Sequence, residues 1–457
     1  MSEKPPRISL PMVAGCGLMV LGAAGVLAFI CAYGQTLTAP LAEAAPAAAE
    51  VTGHSGILLQ VLLALGAVVA AGLVLGKLFG YLGQPPVIGE VVAGIALGPS
   101  LLGPQASALV LPPSAAPYLG IVAQLGVLLY MFIVGLDLHA GAVRYRAHAI
   151  AAISLTSIVV PFLLGALLAL VLYTRFADPS VPFTSFALFL GIALSVTAFP
   201  VLARILDDWK LSRTELGVTA LSCAATGDLA AWCLLALVVG VAQAQVGEGL
   251  VVVGWALGYI GLMLVGVRPL LRRLVARWEG EELPRAAVAL VFLALLLSAL
   301  ATEWIGIHAI FGAFLLGALI PHQSAVARTF SRQLQSVVTV LLLPAFFAYT
   351  GMRTRINLVS GVEQWLLCGA IILVATVGKF GGTLVAARLT GLGWRSSAAL
   401  GALMNTRGLM ELIVLNIGLD LGVISPALFS MLVLMALVTT MMTAPALRLW
   451  LPPPVAV

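Results

Sequence analysis

The sequence predicts an all-α polytopic membrane protein, and three observations lead to that fold class. Of the 457 residues, 61% are hydrophobic and only 9% are charged, which excludes an ordinary soluble globule and a disordered chain. The apolar residues form long unbroken runs, unlike the short alternating segments of a membrane β-barrel. The basic residues gather between those runs. Because topology accounts for the small net charge of +5, we expect no nucleic-acid partner.

Apolar runs divide the chain into segments that are long enough to cross a bilayer, which takes about 20 residues each. Breaking the sequence at charges and at Pro/Gly clusters gives fourteen of them: 8–33, 57–82, 86–102, 117–138, 147–173, 183–206, 213–241, 249–275, 284–302, 305–320, 332–351, 362–391, 396–417 and 425–450. The connections are mostly short, so we expect no separate soluble domain. The five cysteines lack metal-site spacing, and we expect no cofactor.

The basic residues are distributed unequally between the two sides of these segments. With the N-terminus in the cytoplasm, 18 of the 23 Lys and Arg residues fall on the cytoplasmic side, and only Arg175, Arg353 and Arg355 fall outside. Lys379 and Arg407 lie within apolar segments. This asymmetry predicts an integral protein of the cell (inner) membrane with both termini in the cytoplasm.

The first segment, 8–33, has two interpretations. It carries no charge and is long enough to span a membrane as a retained helix, which we favour. It also follows Lys4 and Arg7 and precedes small residues at 47–49, as a signal peptide would. Cleavage would leave thirteen helices and an external N-terminus.

The remaining thirteen segments contain an internal repeat. The sequences at 193–198 (ALSVTA) and 402–407 (ALMNTR) share the pattern Ala-Leu-x-x-Thr, and each lies in the fifth segment of a six-segment block. The blocks are 57–241 and 284–450, and 249–275 links them. A single linking helix reverses the orientation of the second block, which predicts two inverted six-helix repeats. Secondary transporters often have this design, with the binding site near the midplane where broken helices cross.

Thr197 and Thr406 mark the predicted crossing. Pro200 and Gly408 follow them closely, and such residues favour broken helices whose ends face a cavity. The alternative is a simple kink with each threonine bonded to its own helix. If the helices are broken, we expect Arg407 to neutralise the negative C-terminal ends of half-helices.

Ionisable residues inside the membrane are functional candidates, because each costs roughly 2.5–3.5 kcal/mol on insertion scales. Asp228 is the clearest, since a carboxylate there can bind either a proton or a monovalent cation, with Thr226 as a second oxygen ligand. The alternative is a structural acid that pairs with a base. Lys379 can serve as the counter-charge of Asp228 or as part of a purely structural ion pair. Glu411 is predicted to pair with Arg407 in a structural role.

Several motifs together resemble the monovalent cation:proton antiporter family, in the branch with potassium-efflux systems and plant cation/proton exchangers. In chain order they lie at 84–90, 94–99, 132–138, 195–200, 227–228, 312–317, Lys379 and 405–411. The resemblance covers about 57–450 and implies a 13-helix antiporter fold with crossed broken helices, plus one extra N-terminal helix. It implies a homodimer that exchanges Na⁺ or K⁺ for protons by alternating access.

The resemblance also implies a division of the chain and the roles of two residues. The implied parts are a scaffold and dimerisation domain (57–138 and 284–351), an ion-carrying core (147–241 and 362–450), a linker helix (249–275) and an N-terminal helix with an external linker (1–56). Asp228 matches the ion-binding aspartate of the family, and Lys379 matches the basic residue that some members carry opposite it.

One departure from the family pattern bears on stoichiometry. The position before the essential aspartate often carries a side-chain ligand or a second acid, and here it is Gly227. We therefore expect exchange of one proton for one cation. A substrate:cation symporter and a sensor or channel on the same fold are the alternatives, whereas an enzyme would need a nucleophile–base pair or metal ligands that the segments do not offer.

Overall fold

The computed structural model describes residues 10–35, 37, 56–112, 114–136, 147–212, 214–243, 249–278, 283–321 and 323–451. Helices make up 84% of the structure, and no strand occurs in these ranges, which confirms the all-α prediction. Most of the predicted linker before residue 57 lies outside the described ranges, as do positions 137 and 138 of one quoted motif.

The chain forms twenty α-helices in the described ranges. In order they are α1 (Leu10–Gly34), α2 (Ile57–Tyr81), α3 (Pro86–Leu97), α4 (Pro104–Val110), α5 (Ala116–Leu136), α6 (Ala147–Phe176), α7 (Phe183–Ser195), α8 (Phe199–Asp208), α9 (Glu215–Gln243), α10 (Gly249–Leu262), α11 (Arg268–Ala276), α12 (Arg285–Ile305), α13 (Ala309–Leu319), α14 (Ala325–Val337), α15 (Leu343–Arg353), α16 (Gly361–Thr376), α17 (Gly382–Leu389), α18 (Trp394–Met404), α19 (Leu409–Asp420) and α20 (Pro426–Trp450). Short π-helical turns at Met263–Val267, Val338–Leu342 and Val377–Gly381 join α10 to α11, α14 to α15 and α16 to α17.

The number of full membrane spans differs from the number of predicted segments. Each of the fourteen segments contains a helix, but in the described ranges nine helices are long and apolar enough to cross, or ten if the bent pair α18–α19 counts as one span. The helices α3, α7 and α13 have only 12, 13 and 11 residues. At about 1.5 Å per residue such helices cannot cover a hydrocarbon core of about 30 Å. The predicted antiporter fold with thirteen membrane helices is therefore not confirmed in its number of spans.

The break between α7 and α8 follows from Pro200. In a continuous helix the ring of Pro200 would clash with the carbonyl four residues earlier, at Val196, and one hydrogen bond would be lost. The chain instead becomes extended at Val196, with φ −64° and ψ 140°, and a new helix starts at Phe199. A second break separates α18 from α19, with a bend of 42° between the two helices.

The chain divides into two compact units. Unit 1 comprises 1–42, 141–231 and 360–457, and unit 2 comprises 43–140 and 232–359, so that the boundary falls within α9. Within unit 1, α6 packs against α7 and α17, and α20 packs against α16, α18 and α19. Within unit 2, α3 packs against α2 and α15, and α5 packs against α13 and α15.

Glycines set the close helix packing in unit 2. Gly135 of α5 faces Gly317 of α13, and a Cβ at Gly135 would lie 2.8 Å from the Ala318 amide nitrogen and 3.0 Å from Gly317 Cα. Gly351 of α15 likewise packs directly on the backbone of Gly94 in α3. Small residues let the helix backbones approach in a membrane, where lipid gives no hydrophobic drive for association.

We expect Gly135→Ala to destabilise the protein, because the added methyl group must push α5 away from α13. Overpacking of this kind costs about 1–3 kcal/mol, and thermal unfolding of the purified protein in detergent would measure it. The control is Gly258→Ala on α10, where a Cβ meets nothing within 4 Å. Equal melting temperatures for the two variants would contradict the close-contact role of Gly135.

Candidate ion-binding site

The candidate site in unit 1 lies where the two helix breaks meet. The Ala198 backbone N–H donates to the Thr406 carbonyl at 3.1 Å, and the Thr197 hydroxyl donates to the Met404 carbonyl at 3.2 Å. The first break therefore supplies two donors, and the second break supplies the two carbonyls that accept them. Non-helical backbone at membrane depth needs such internal partners, because lipid offers none.

Two buried cations cover the C-terminal end of α7. The Arg407 guanidinium donates to the Ala193 and Leu194 carbonyls at 2.9 and 2.7 Å, and the Lys379 ammonium donates to the Ser195 carbonyl. These are the last three carbonyls of the helix, which no amide of a following turn can reach. The positive charges also suit the negative end of the helix dipole.

Lys379 is held by main-chain carbonyls. It lies in the π-helical turn Val377–Gly381, is 1% exposed, and donates to the Ser157 carbonyl at 2.9 Å in addition to Ser195. No ion pair joins it to Asp228 in the described part of the chain, although the two charges interact at longer range. The structure therefore places the predicted counter-charge near Asp228 without direct contact.

Arg407 and Glu411 form a fully buried ion pair at the second break. Arg407 Nη1 lies 2.8 Å from Glu411 Oε2, and neither side chain is exposed. The Thr440 hydroxyl accepts the Arg407 backbone N–H at 2.9 Å, and the Thr406 hydroxyl lies 3.3 Å from that of Thr443. Helix α20 thus fixes the break, and Arg407 joins Glu411 to the end of α7.

Asp228 differs from these charges because its carboxylate has no hydrogen-bond partner. It lies in α9 and is 3% exposed, and neither Oδ1 nor Oδ2 has a donor in the described structure. The Phe199 amide, in the first turn of α8, is near enough to interact with it electrostatically but makes no well-formed hydrogen bond. A buried carboxylate without donors is costly as an anion, and a bound proton or cation removes that cost.

The structure does not bring Thr226 to Asp228. Helix α9 is continuous there, and residues two positions apart lie about 200° apart around a helix and do not face each other. The Thr226 hydroxyl donates to the Ser222 carbonyl of its own helix at 2.8 Å. Thr197 is better placed, since it lies in the break just before Phe199, whose amide faces Asp228.

Sequence reasoning missed three features of the site. It did not place the N-terminus of α8 at Asp228, it did not find the carbonyl partners of Lys379, and it overlooked the threonines of α20. The threonines could have been found, because Thr439, Thr440 and Thr443 cluster within five residues of a mainly apolar helix. The first two depend on contacts between distant segments.

The comparisons with known proteins decide the family. Residues 64–450 match the model of the transmembrane sodium/hydrogen exchanger family. The chain belongs to the sodium/hydrogen exchanger family. This confirms the predicted family and makes the chain an integral multi-pass membrane protein of the cation/proton antiporter class. Its fold resembles that of the sodium proton antiporter MjNhaP1 from Methanocaldococcus jannaschii, with a TM-score of 0.65 at 14% identity over 88% of this chain and all of that one.

Several members of the exchanger family are similar in sequence. The Na(+)/H(+) antiporter NhaS4 from Synechocystis is 40% identical, over 85% of this chain and 96% of its own length. Cation/H(+) antiporter 20 from Arabidopsis thaliana is 40% identical over 83% of this chain, and K(+)/H(+) antiporter 1 from Saccharomyces cerevisiae is 33% identical over 82%. The chain spans 47% and 44% of these two longer relatives.

We expect Arg407→Met to destabilise unit 1 strongly, because it leaves two α7 carbonyls without donors and Glu411 without its partner. Breaking a buried pair on one side costs about 3–5 kcal/mol, and thermal and chemical unfolding would report the loss. Adding Glu411→Leu should recover part of it, since no unpaired charge then remains.

The matched control for that variant is Arg175→Met. Arg175 also pairs with a glutamate in unit 1, but its side chain is 44% exposed and that of Glu363 is 73% exposed. Exposed pairs of this kind contribute about 1 kcal/mol or less. An Arg407→Met protein as stable as Arg175→Met would show that Arg407 does not support the end of α7.

Proposed function

We propose that this exchanger-family protein moves Na⁺ or K⁺ against protons by alternating access, with Asp228 as the shared binding site. The observation that supports the proposal is the difference between Asp228 and the other buried charges of unit 1. Arg407, Glu411 and Lys379 each have a partner, whereas both oxygens of Asp228 have none in the described structure.

Coupling follows from competition for one carboxylate. The buried anion is unfavourable alone, so Asp228 binds either a proton or an alkali cation, and one ligand excludes the other. The site then changes its access side only when it is loaded. Each cation that crosses in one direction is thereby coupled to a proton that crosses in the other.

The oxygen atoms at the breaks suit a monovalent hard cation. We propose Asp228 and Thr197 as ligands, because the break that holds Thr197 leads directly to the amide that faces Asp228. Thr226 is not part of the proposed ligand set, since it lies on another face of α9. The N-terminus of α8 presents its positive end to the carboxylate, which lowers the cost of the anion during ligand exchange.

The domain arrangement belongs to the same proposal. Residues 147–241 with 362–450 carry the ion, and 57–138 with 284–351 form the scaffold through which two copies dimerise. The charge asymmetry of the connections supports a place in the cell (inner) membrane with both termini in the cytoplasm.

The choice between Na⁺ and K⁺ needs assays with both ions. One similar protein is named a Na⁺/H⁺ antiporter and another a K⁺/H⁺ antiporter, so the relatives support each ion. For either ion the proposed site offers a single carboxylate, because Gly227 contributes no side chain.

We expect Asp228→Asn to insert and fold but to lose cation-driven proton movement in proteoliposomes. The neutral amide has no titratable proton to exchange and no negative charge to bind a cation in its place. Asp178→Asn is the control. Asp178 lies in an exposed connection of the same unit, where hydrogen bonds from Ser180 lower the pKa of its carboxyl, and its loss should leave exchange intact. Exchange retained by Asp228→Asn would reject Asp228 as the shared site.

The pH dependence of the wild-type protein gives an independent prediction. If one proton competes with one cation, the apparent KM for the cation should rise as pH falls, by at most about tenfold per pH unit below the pKa of the site. Initial rates at several cation concentrations and pH values would measure it. A KM that stays constant while only the maximal rate changes would argue against direct competition.

We expect one-for-one exchange that moves no net charge, because Gly227 removes a second acid and Lys379 donates to main-chain carbonyls instead of pairing with Asp228. Current on a supported membrane at several imposed potentials would test this, since a net charge couples to voltage at about 2.3 kcal/mol per 100 mV. Lys379→Arg, which keeps the charge, is the control for Lys379→Gln. A steady current that reverses with the ion gradient and disappears only in Lys379→Gln would assign a second proton to Lys379.

A further inference from the structure

Two main-chain carbonyls hold Lys379, and the first of them is free because of a proline. A carbonyl inside an α-helix normally accepts the N–H of the residue four positions later. The Ser157 carbonyl lies in the interior of α6, yet it accepts from the Lys379 ammonium at 2.9 Å. Four positions later in α6 stands Pro161, which has no N–H. Pro161 therefore leaves the Ser157 carbonyl without its usual helical donor.

The second acceptor of Lys379 is freed in a similar way. The Ser195 carbonyl ends α7, and in a continuous helix it would accept the Phe199 N–H. The break that Pro200 imposes separates these two groups. The carbonyl accepts from Lys379 instead, whereas the Phe199 amide faces Asp228. Both acceptors of the lysine thus depend on a proline.

A glycine lets the π-helical turn that carries Lys379 approach α6 at Pro161. A Cβ at Gly378 would lie 3.0 Å from Pro161 Cα and 3.2 Å from Pro161 Cβ. These distances are shorter than an ordinary carbon contact of about 3.5–4.0 Å, so a larger residue would push the turn away from α6. The close approach puts the Lys379 ammonium within hydrogen-bond reach of the carbonyl that Pro161 frees.

The charges around Lys379 indicate what this placement achieves. The groups that interact with it electrostatically are Arg407, Asp228 and Glu411. Glu411 is engaged by Arg407, whereas the Asp228 carboxylate has no hydrogen-bond donor in the described part of the chain. An ammonium that lost one of its carbonyls would therefore find a favourable new acceptor in Asp228. The two carbonyls keep the lysine from that pairing.

We propose that Pro161 is a positioning residue of the ion site. By withholding a helical N–H it gives Lys379 a main-chain acceptor, and so it keeps the lysine from competing with the cation for Asp228. The inference rests on the proposed role of Asp228 as the binding site. A bend in α6 is the ordinary consequence of a proline, but a bend does not account for a freed carbonyl that accepts from a buried lysine.

Thermal unfolding of purified full-length variants tests the placement without any transport assay. Pro161→Ala restores an N–H that the Ser157 carbonyl can accept within α6, and Lys379→Met removes the ammonium from both carbonyls. Lys379→Met alone leaves two buried carbonyls without donors, but it leaves only one when Pro161→Ala is also present. We therefore expect Lys379→Met to lower the melting temperature less in the Pro161→Ala background than in the wild type. Equal losses in the two backgrounds would overturn the proposal.

Cation-driven exchange in proteoliposomes at one pH tests the functional consequence. In Pro161→Ala the lysine is expected to pair with Asp228, so the apparent KM for the transported cation should rise about tenfold, a factor that one charge-assisted hydrogen bond accounts for. The maximal rate should change less, since a saturating cation displaces the lysine. A bend alone does not produce this split between KM and maximal rate. An unchanged KM would contradict the proposed role.

Pro445→Ala is the matched control for both measurements. Pro445 also lies inside a helix of unit 1, but α20 provides no carbonyl to Lys379 in the described structure. This variant should show neither a smaller effect of Lys379→Met nor a higher KM. The same behaviour in both proline variants would mean a general effect of helix straightening and would reject the specific role of Pro161.

The two measurements also separate this inference from the proposed function. If Asp228→Asn retains exchange, the assigned ion site is wrong, and the unfolding experiment still decides whether Pro161 supplies an acceptor to Lys379. If Lys379→Met folds only together with Pro161→Ala, that rescue supports the proposal. If it folds in neither background, the KM of Pro161→Ala decides. Pro161→Gly, which also restores the N–H, replaces Pro161→Ala if that variant does not fold.

Discussion

The structure of unit 1 depends on one constraint: a helix that stops inside a membrane must find partners for its free backbone groups. Helices α7 and α18 both stop at membrane depth, and the segments that follow them bond to each other through Ala198 and Thr406. The remaining carbonyls of α7 are met by Arg407 and Lys379. Both cations are fully buried, and each is stable there because the helix end supplies its acceptors.

This arrangement separates the structural charges from the one that we propose to be functional. Arg407 and Glu411 neutralise each other, and Lys379 donates to two main-chain carbonyls, so each of them has a partner within the protein. The carboxylate of Asp228 alone among these four makes no well-formed hydrogen bond. A set of mutually paired charges beside one carboxylate without a partner suits a site whose carboxylate takes up and releases small ions.

Unit 2 has no comparable set of buried charges in the described ranges, and its packing has a different basis. Its helices approach through glycines, such as Gly135 on Gly317 and Gly351 on Gly94. Such contacts leave little room for rearrangement within the unit, because backbone meets backbone.

Local sequence determined a large part of this protein. Apolar runs placed a helix in each of the fourteen segments but missed the short helix α4 between two of them. Pro200 placed the break before α8, and the cost of charge in lipid singled out Asp228, Lys379, Arg407 and Glu411. These inferences succeed because each depends only on the residue and its neighbours in a membrane. They could not give the number of full spans, since an apolar run that contains a break looks as long as a continuous helix.

Tertiary structure decided which of those residues meet. Thr226 is close to Asp228 in sequence but lies on another face of α9, while Phe199, 29 positions away, faces it. Lys379 proved to bond to carbonyls of α6 and α7. Hydrophobicity and helix breaking act along the chain, so the sequence reveals them. A hydrogen bond depends on the distance between segments, and only folding sets that distance.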